Sequence, residues 1–232
     1  MALNKKTFQT RTITAIVFAA VMLLGLLWNK WLFIALFSMV MVGCLVEFNK
    51  LVSRFHPRLL WLAPLYVILP VLLMIDLAVD QRLLSFTSGR HWTDNEVFTP
   101  LLPCAIIFSI WINDTMAYVV GSLVGKTPFS KISPNKTWEG TGGGAILCVV
   151  AIAILGSVIP AAKNVPVQHW IAIAAICAIF GTLGDLLESK LKRLADVKDS
   201  GHFMPGHGGF LDRFDSFLLA TTFVWIYCKL FL

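Results

Sequence analysis

The chain has 232 residues, 57% of them hydrophobic and 14% charged, with a formal net charge of +6 and a mean hydropathy of +0.78. These proportions exclude an ordinary water-soluble domain and point to an integral membrane protein. No polar segment is long enough to build a separate soluble domain, so a single membrane unit is expected. Within it, residues 1–96 read as N-terminal transmembrane helices and residues 97–232 as a region that carries the polar motifs. The positive balance suits anionic headgroups or phosphates, and nucleic acid is not an expected partner. The five cysteines, Cys44, Cys104, Cys148, Cys177 and Cys228, all lie in apolar runs without CxxC or Cys/His spacing. They read as small packing residues, with no disulfides and no zinc.

In chain order, a short polar start with Lys5, Lys6 and Arg11 leads into an apolar run from about Ile13 to Trp28. Its end, Leu26-Leu27-Trp28-Asn29, lacks the small residues of a cleavage site, so the run is expected to stay as a helix. A tight connection leads to a second run, about Trp31 to Phe48. A basic connection with Lys50, Arg54 and Arg58 then leads to a third, Leu59 to Val79, interrupted by Pro64 and Pro70. Prolines are tolerated in spanning helices where neighbours satisfy the freed carbonyls. After the polar stretch Asp80 to Glu96, a fourth run extends from Val97 past Asn113-Asp114 to Val124. That is longer than a bilayer requires, which predicts either a tilted helix or a break near Asp114. Further runs cover Thr141 to Pro160, Gln168 to Leu187 and Phe210 to Leu232. The fold expected is an all-α polytopic membrane protein, a bundle of about seven transmembrane helices.

The basic residues fall on alternate connections: Lys5, Lys6 and Arg11; Lys50, Arg54 and Arg58; Lys126, Lys131 and Lys136; Lys190, Lys192, Arg193 and Lys198. The positive-inside rule places these connections and the N-terminus in the cytoplasm, where nucleotides are supplied. Ala117, Gly121 and Gly125 repeat at four-residue spacing, which permits close helix contact and leaves room for a homodimer.

The densest chemistry lies between Gly184 and Ser216, GDLLESKLKRLADVKDSGHFMPGHGGFLDRFDS. In a helix, Asp185, Glu188, Ser189 and Lys192 share one face; Asp212 and Asp215 would share another. Two acidic pairs flanking a basic, glycine-rich loop suit a divalent cation that holds a phosphate substrate, because hard oxygen donors bind Mg²⁺ while Lys and Arg neutralise phosphate oxygens. Gly201, Gly206, Gly208 and Gly209 would let the backbone approach a phosphate closely. His202 and His207 have no cysteine partner, which argues against zinc and for hydrogen bonding to phosphate or loop packing. Upstream, Asp114 is an ionisable group inside an apolar run, a costly placement that calls for a function. The loop Ser130 to Gly140 offers Ser133, Lys136 and Thr137 ahead of a helix start, a combination able to cradle phosphate, with Lys131 and Lys136 as charge clamps. Trp138 is expected to anchor at the interface or to lie near a base.

Together these residues resemble a known signature. Ser189-x-Leu191-Lys192-Arg193, Lys198-Asp199-x-Gly201 and Pro205-x-His207-Gly208-Gly209-x-x-Asp212-Arg213-x-Asp215 are similar to the pattern of phosphatidate cytidylyltransferases, the CDP-diacylglycerol synthases. Asn113-Asp114, Ser133-Pro134-x-Lys136-Thr137-Trp138-Glu139-Gly140 and Gly184-Asp185 resemble that family too, whereas Met204 stands where a branched aliphatic residue or Phe is usual. The resemblance implies that CTP and phosphatidic acid, met among membrane lipids, give CDP-diacylglycerol and pyrophosphate with Mg²⁺, a second cation being possible. Asp185, Asp212 and Asp215 would then be the metal residues, with Glu188 close by. Lys192, Arg193, Lys198 and Arg213 would act on the triphosphate and the lipid phosphate. Asp114, Ser133, Lys136, Thr137, Glu188, Ser189, Asp199, His207, Gly208 and Gly209 would line the substrate site. Two other readings fit less well. A secondary transporter calls for mid-membrane carboxylates and an inverted repeat, and a CTP-dependent lipid-alcohol kinase would release CDP in place of pyrophosphate.

Overall fold

A computed structural model describes residues 5–79, 98–203 and 208–232, with side chains from Thr12 onward. The polar stretch Asp80 to Glu96, as well as Gly206 and His207, therefore lie outside the described residues. The chain forms α-helices α1 (Lys5–Leu27), α2 (Lys30–Val52), α3 (Leu69–Ala78), α4 (Leu101–Val124), α5 (Trp138–Val158), α6 (Val167–Leu194) and α7 (Leu211–Phe231). Six helical segments are long and apolar enough to cross a membrane: α2, Pro57–Ala78, α4, α5, α6 and α7. In α1 the described apolar part, Thr12–Leu27, is shorter. The all-α polytopic architecture is thus as expected, with six such spans where about seven were anticipated.

Local chemistry accounts for most of the boundaries. Asn29 caps α2 by accepting from the Leu32 N–H at 2.9 Å, which makes the turn after α1 very short. In the third apolar run the prolines do more than interrupt. Pro57–Leu62 is 3₁₀ and Pro64–Ile68 is a π-helical turn in which Leu69 N–H reaches the Pro64 carbonyl; regular α-helix starts only at Leu69. A proline has no N–H to donate and crowds the preceding turn, so the backbone finds other pairings. By contrast, α4 runs unbroken through Asn113 and Asp114, which settles the alternative of tilt or break in favour of one continuous helix. Helix α6 also outlasts its apolar run, carrying the charged segment to Leu194. It ends at Asp196, whose φ of +53° is left-handed. There Val197 N–H donates to Lys192 O at 3.0 Å and Asp196 N–H to Arg193 O at 3.2 Å, a Schellman pairing that turns the chain into the 197–210 loop.

The tightest packing is α4 on α5 and α6 on α7. A Cβ on Gly144 would lie 2.7 Å from the Ala117 backbone nitrogen, and one on Gly140 would lie 2.8 Å from the Ala117 carbonyl oxygen. The small-residue stripe Ala117, Gly121 and Gly125 is therefore used inside the chain, against Gly140, Gly144 and Thr137. Between α6 and α7, a Cβ on Gly184 would lie 2.5 Å from the Asp215 carbonyl oxygen. This close approach brings the acidic ends of both helices together. At the opposite end of α7, Trp225 Nε1 donates to the fully buried Asp76 at 2.7 Å and Lys229 lies 3.2 Å from the same oxygen, tying α3 to α7. A charge inside a span is held there by partners of this kind.

Two glycines on α5 give a direct check on the packing. Gly142 has open space around its missing Cβ whereas Gly144 has none. Gly142→Ala should therefore leave thermal stability in detergent unchanged or raise it slightly. Gly144→Ala should lower it by ~1–3 kcal/mol, the usual cost of overpacking a tight contact. Scanning fluorimetry of the two variants side by side would check this.

Candidate active site

A cavity of about 590 Å³ opens where α4, α6, α7 and the 125–137 loop converge. Of the residues picked out from sequence, it is lined by Asp114, Ser133, Lys136, Thr137, Asp185, Lys192, Asp199, Asp212, Arg213 and Asp215. Residues distant in the chain are thus gathered around one space. The remaining candidates surround it. Glu188 is buried behind it with none of its surface exposed. Ser189 Oγ donates to Asp185 Oδ1 at 3.2 Å and so orients that carboxylate. Arg193 turns away to donate to the Val197 carbonyl at 3.3 Å. Lys198 lines a neighbouring cavity of about 290 Å³ with Lys50, Arg54 and His202, and Asp199 borders both spaces. His207 is outside the described residues.

The acidic floor comes from α6 and α7. Asp185, Glu188 and Asp215 each place a carboxylate oxygen within 4.8 Å of the others. Three carboxylates so close together repel one another, and burial deprives them of water's screening. Two lysines offset part of that cost. Lys136 pairs with Asp185. Lys192 pairs with Glu188 one turn back on α6 and, at 2.7 Å, with Asp212 on α7. The offset is incomplete, since Glu188 Oε1 is buried without a hydrogen-bond partner among the described residues. Arg213 also lines the cavity and has no carboxylate within ion-pair distance among the described residues. It is therefore free to meet an anion.

Asp212 is held differently from the other acids. Its Oδ2 accepts from Ser200 N–H at 2.9 Å and Gly209 N–H at 2.8 Å and lies 3.0 Å from Ser200 Oγ, while Oδ1 faces Lys192. Of the three expected metal residues, Asp185 and Asp215 thus fall in the acidic cluster with Glu188, and Asp212 adjoins it through Lys192. Gly208 adopts a left-handed φ of +83°, and a Cβ there would meet Asp212 Oδ2 at 2.6 Å, so this turn requires glycine. Gly208 and Gly209, two of the four glycines picked out for a backbone approach to phosphate, lie against the Asp212 carboxylate.

The 125–137 loop is built to aim Lys136. Phe129 N–H donates to the Lys136 carbonyl at 2.7 Å and Trp138 N–H to the Thr127 carbonyl at 3.0 Å, which folds the loop back on itself. Glu139 fastens its base, accepting from Lys126 N–H and Thr127 N–H, both at 3.1 Å, and from Thr127 Oγ1 at 2.8 Å. Thr137 Oγ1 caps α5 by accepting from Gly140 N–H at 3.1 Å. Trp138 packs edge-on against Phe129 with ring centroids 4.4 Å apart.

One residue of the site went unnoticed in the sequence. Glu47 on α2 is only 8% exposed and accepts from Ser200 Oγ at 2.7 Å and from Leu211 N–H at 2.9 Å. The available signal was an acidic residue at the end of an apolar run, and that pattern also describes any helix end.

Known proteins that resemble this chain fall in one family. A profile described as the cytidylyltransferase family matches residues 83–231. A protein of Rickettsia conorii named phosphatidate cytidylyltransferase is 32% identical over 96% of this chain and 92% of its own length. The chain belongs to the cytidylyltransferase family. Another family member, the phosphatidate cytidylyltransferase of Bacillus subtilis, is 47% identical over 53% of this chain and 45% of its own length. A plant member, phosphatidate cytidylyltransferase 5, chloroplastic, of Arabidopsis thaliana, is 37% identical over 60% of this chain. The chain thus matches a little under half the length of the Bacillus protein and nearly all of the Rickettsia one.

The pairing of Lys192 with two acids can be tested apart from any reaction. Lys192→Met should destabilise the fold by ~3–5 kcal/mol, because it strands the buried Glu188 beside Asp212. Adding Glu188→Gln to that variant should recover much of the loss, since the stranded charge is then gone. Chemical or thermal denaturation of both proteins in the same detergent would reveal whether the second change rescues the first.

Proposed function

We propose that the protein transfers CMP from CTP to phosphatidic acid at this cavity, giving CDP-diacylglycerol and pyrophosphate for phospholipid biosynthesis. The observation that carries the reading is that Asp185 and Asp215, backed by the buried Glu188, share one cavity with Lys136, Lys192 and Arg213. Membership of the cytidylyltransferase family supports the choice of nucleotide, and the names of its relatives support the choice of lipid.

In the transfer, an oxygen of the lipid phosphate attacks the α-phosphorus of CTP. A new P–O bond forms, and the bond to the β-phosphate bridging oxygen breaks, so pyrophosphate leaves with the electron pair. A phosphate monoester is already anionic near neutral pH, so the attack needs little help from a base. The barrier is bringing two polyanions together in line. Arg213, at the cavity wall without an ion-pair partner among the described residues, neutralises phosphate charge. Lys136, on its braced loop, is positioned to exchange Asp185 for a phosphate oxygen. Ser133, Thr137, Asp114 and Asp199 complete the substrate lining.

The oxygen-only donor set Asp185, Glu188 and Asp215, with a buried Glu188 oxygen lacking a hydrogen-bond partner, fits a hard divalent cation such as Mg²⁺. Bound there, Mg²⁺ supplies charge neutralisation for the transferring phosphoryl group. Asp212 stands next to these ligands, its orientation fixed by Ser200 and Gly209. A second cation is compatible with so many carboxylates.

For the lipid, an apolar cavity of about 370 Å³ lies between α2, α3, α6 and α7 and includes Phe48, Tyr66, Leu187, Leu191 and Phe223. Leu187 and Leu191 flank Glu188 on α6, so an acyl chain seated there leaves its phosphate beside the acidic cluster. The loops 125–137 and 195–210 are read as cytoplasmic on the strength of their lysines and arginines. That orientation has CTP arriving from the cytoplasm and the lipid from the inner leaflet of a bacterial plasma membrane.

The purified protein, incubated with phosphatidate, Mg²⁺ and CTP labelled at either the α- or the γ-phosphorus, should pass only the α-label to the lipid phase. The γ-label in lipid would make it a kinase, and no label in lipid would overturn the reading. Chelation of divalent cations should stop incorporation and added Mg²⁺ restore it. Asp212→Asn should lower turnover at least 100-fold, comparable to losing a key electrostatic contact in a transferase site, while the protein still extracts and runs as a folded species.

A further inference from the structure

Glu47 is a buried carboxylate that no cation pairs with among the described residues, and it lies on a helix outside the stretch matched by the family profile. Burying an acid without a cation is expensive unless hydrogen bonds replace the lost water. Here they come from one place, the loop between α6 and α7. Ser200 Oγ and Leu211 N–H both donate to Glu47 Oε2, from opposite ends of that loop. Between these anchors, Gly201 and Gly209 press their Cα atoms so close to the carboxylate that neither has room for a Cβ. Gly43, one turn earlier on α2, gives the same close fit to the Phe210 ring. The face of α2 is thus shaped to the described ends of the loop, at Ser200 and Gly201 and at Gly209 to Leu211.

The same loop holds Asp212. Ser200 Oγ lies 2.7 Å from Glu47 Oε2 and 3.0 Å from Asp212 Oδ2, so a hydroxyl with one proton to give, donated to the nearer Glu47, sits between the two carboxylates and accepts from Asp212 N–H at 3.3 Å. Gly209, packed against Glu47, donates its N–H to Asp212. Displacing the Glu47 carboxylate would release Ser200 and Gly209, whose N–H groups both donate to Asp212 Oδ2. Asp199, next to Ser200, lines the main cavity and would move with it.

We infer that Glu47 is a positioning residue for the transfer: it clamps the 200–211 loop and, through Ser200 and Gly209, fixes the direction in which Asp212 points into the cavity. The N-terminal helices then contribute more than membrane anchorage. They supply the fixed point against which the catalytic loop is set. This inference rests on the cytidylyl-transfer reading for its kinetic consequence but not for its structural one.

The test uses the full chain in detergent or nanodiscs, with Glu47→Ala, Glu47→Gln, Ser200→Ala and, as a control on the exposed face of the same helix, Val46→Ala. Hydrogen exchange followed by mass spectrometry reads the loop, and steady-state kinetics with CTP and phosphatidate read the consequence. Glu47→Ala should speed exchange in peptides spanning 198–212 at least about tenfold while α5 stays protected. It should also lower kcat about 100-fold, as expected when a group near the chemistry drifts by about an ångström, and leave the KM for CTP within about threefold. Glu47→Gln keeps one oxygen able to accept from Ser200 and Leu211, so its kcat should lie between wild type and alanine. Ser200→Ala removes only the hydroxyl and keeps the N–H that donates to Asp212, so it should reproduce the faster loop exchange and lose about tenfold in kcat. Val46→Ala should match wild type in both. Wild-type kcat in Ser200→Ala and Glu47→Gln, or lost activity with loop exchange unchanged, would overturn the inference. If the wild-type chain transfers no cytidylyl group, the functional reading fails and the exchange measurements alone decide the role of Glu47.

Discussion

Like charges resist being gathered away from water, and the end of the α6–α7 pair gathers three of them. Asp185, Glu188 and Asp215 can meet only because Gly184 lets α6 press against the backbone of α7. With a side chain at that position the helices would separate and the carboxylates with them. Much of the neighbouring structure offsets the resulting repulsion. Lys192 reaches from α6 to both Glu188 and Asp212, and Lys136 comes from a loop whose own hydrogen bonds brace it toward Asp185. That acidic cluster is what the proposed divalent ion and polyphosphate substrates would meet.

The other helices can be understood by what they add to that cluster. Helices α4 and α5 lock together through glycines, so that Asp114 and the braced loop before α5 face the acids at a fixed distance. Helix α2 holds the opposite side with a hydrogen-bonded carboxylate, Glu47, clasping the glycine-rich loop. The far end of the bundle is secured separately by Asp76, Trp225 and Lys229. Polar groups within the spans are thus concentrated at two levels, one joining α3 to α7 and one forming the cavity. Asp76 with Trp225, Lys136 with Asp185 and Glu47 with Ser200 are partners distant in sequence, which couples assembly of the bundle to completion of the site.

The two roles found for glycine-rich segments differ in kind. On α5, small residues serve helix contact. In the 200–211 loop they serve carboxylates: Gly208 and Gly209 sit against Asp212, and Gly201 and Gly209 against Glu47. A glycine-rich stretch beside lysines suggests a phosphate cradle, yet here its backbone first organises the protein's own acids.

Hydropathy alone marked out the membrane helices, because every stretch of backbone crossing a bilayer must pair its own N–H and C=O groups and so becomes helical wherever the run is long and apolar enough. The boundaries of α2 and α7 follow the apolar runs closely, and helical periodicity already placed Asp185, Glu188, Ser189 and Lys192 on one face. The signature residues pointed to the chemistry. Tertiary structure decided the rest. It turned the proline-bearing third run into 3₁₀, π and α segments, kept α4 continuous through Asp114, and used the small-residue stripe of α4 within the chain. It placed Glu188 in the cluster while Asp212 was drawn toward the loop. It also brought Glu47 to Ser200 from far along the chain. Periodicity and spacing report which residues are neighbours along one helix. Which helix faces which, and which acid finds which donor, depends on contacts between distant segments, and those form only when the bundle packs.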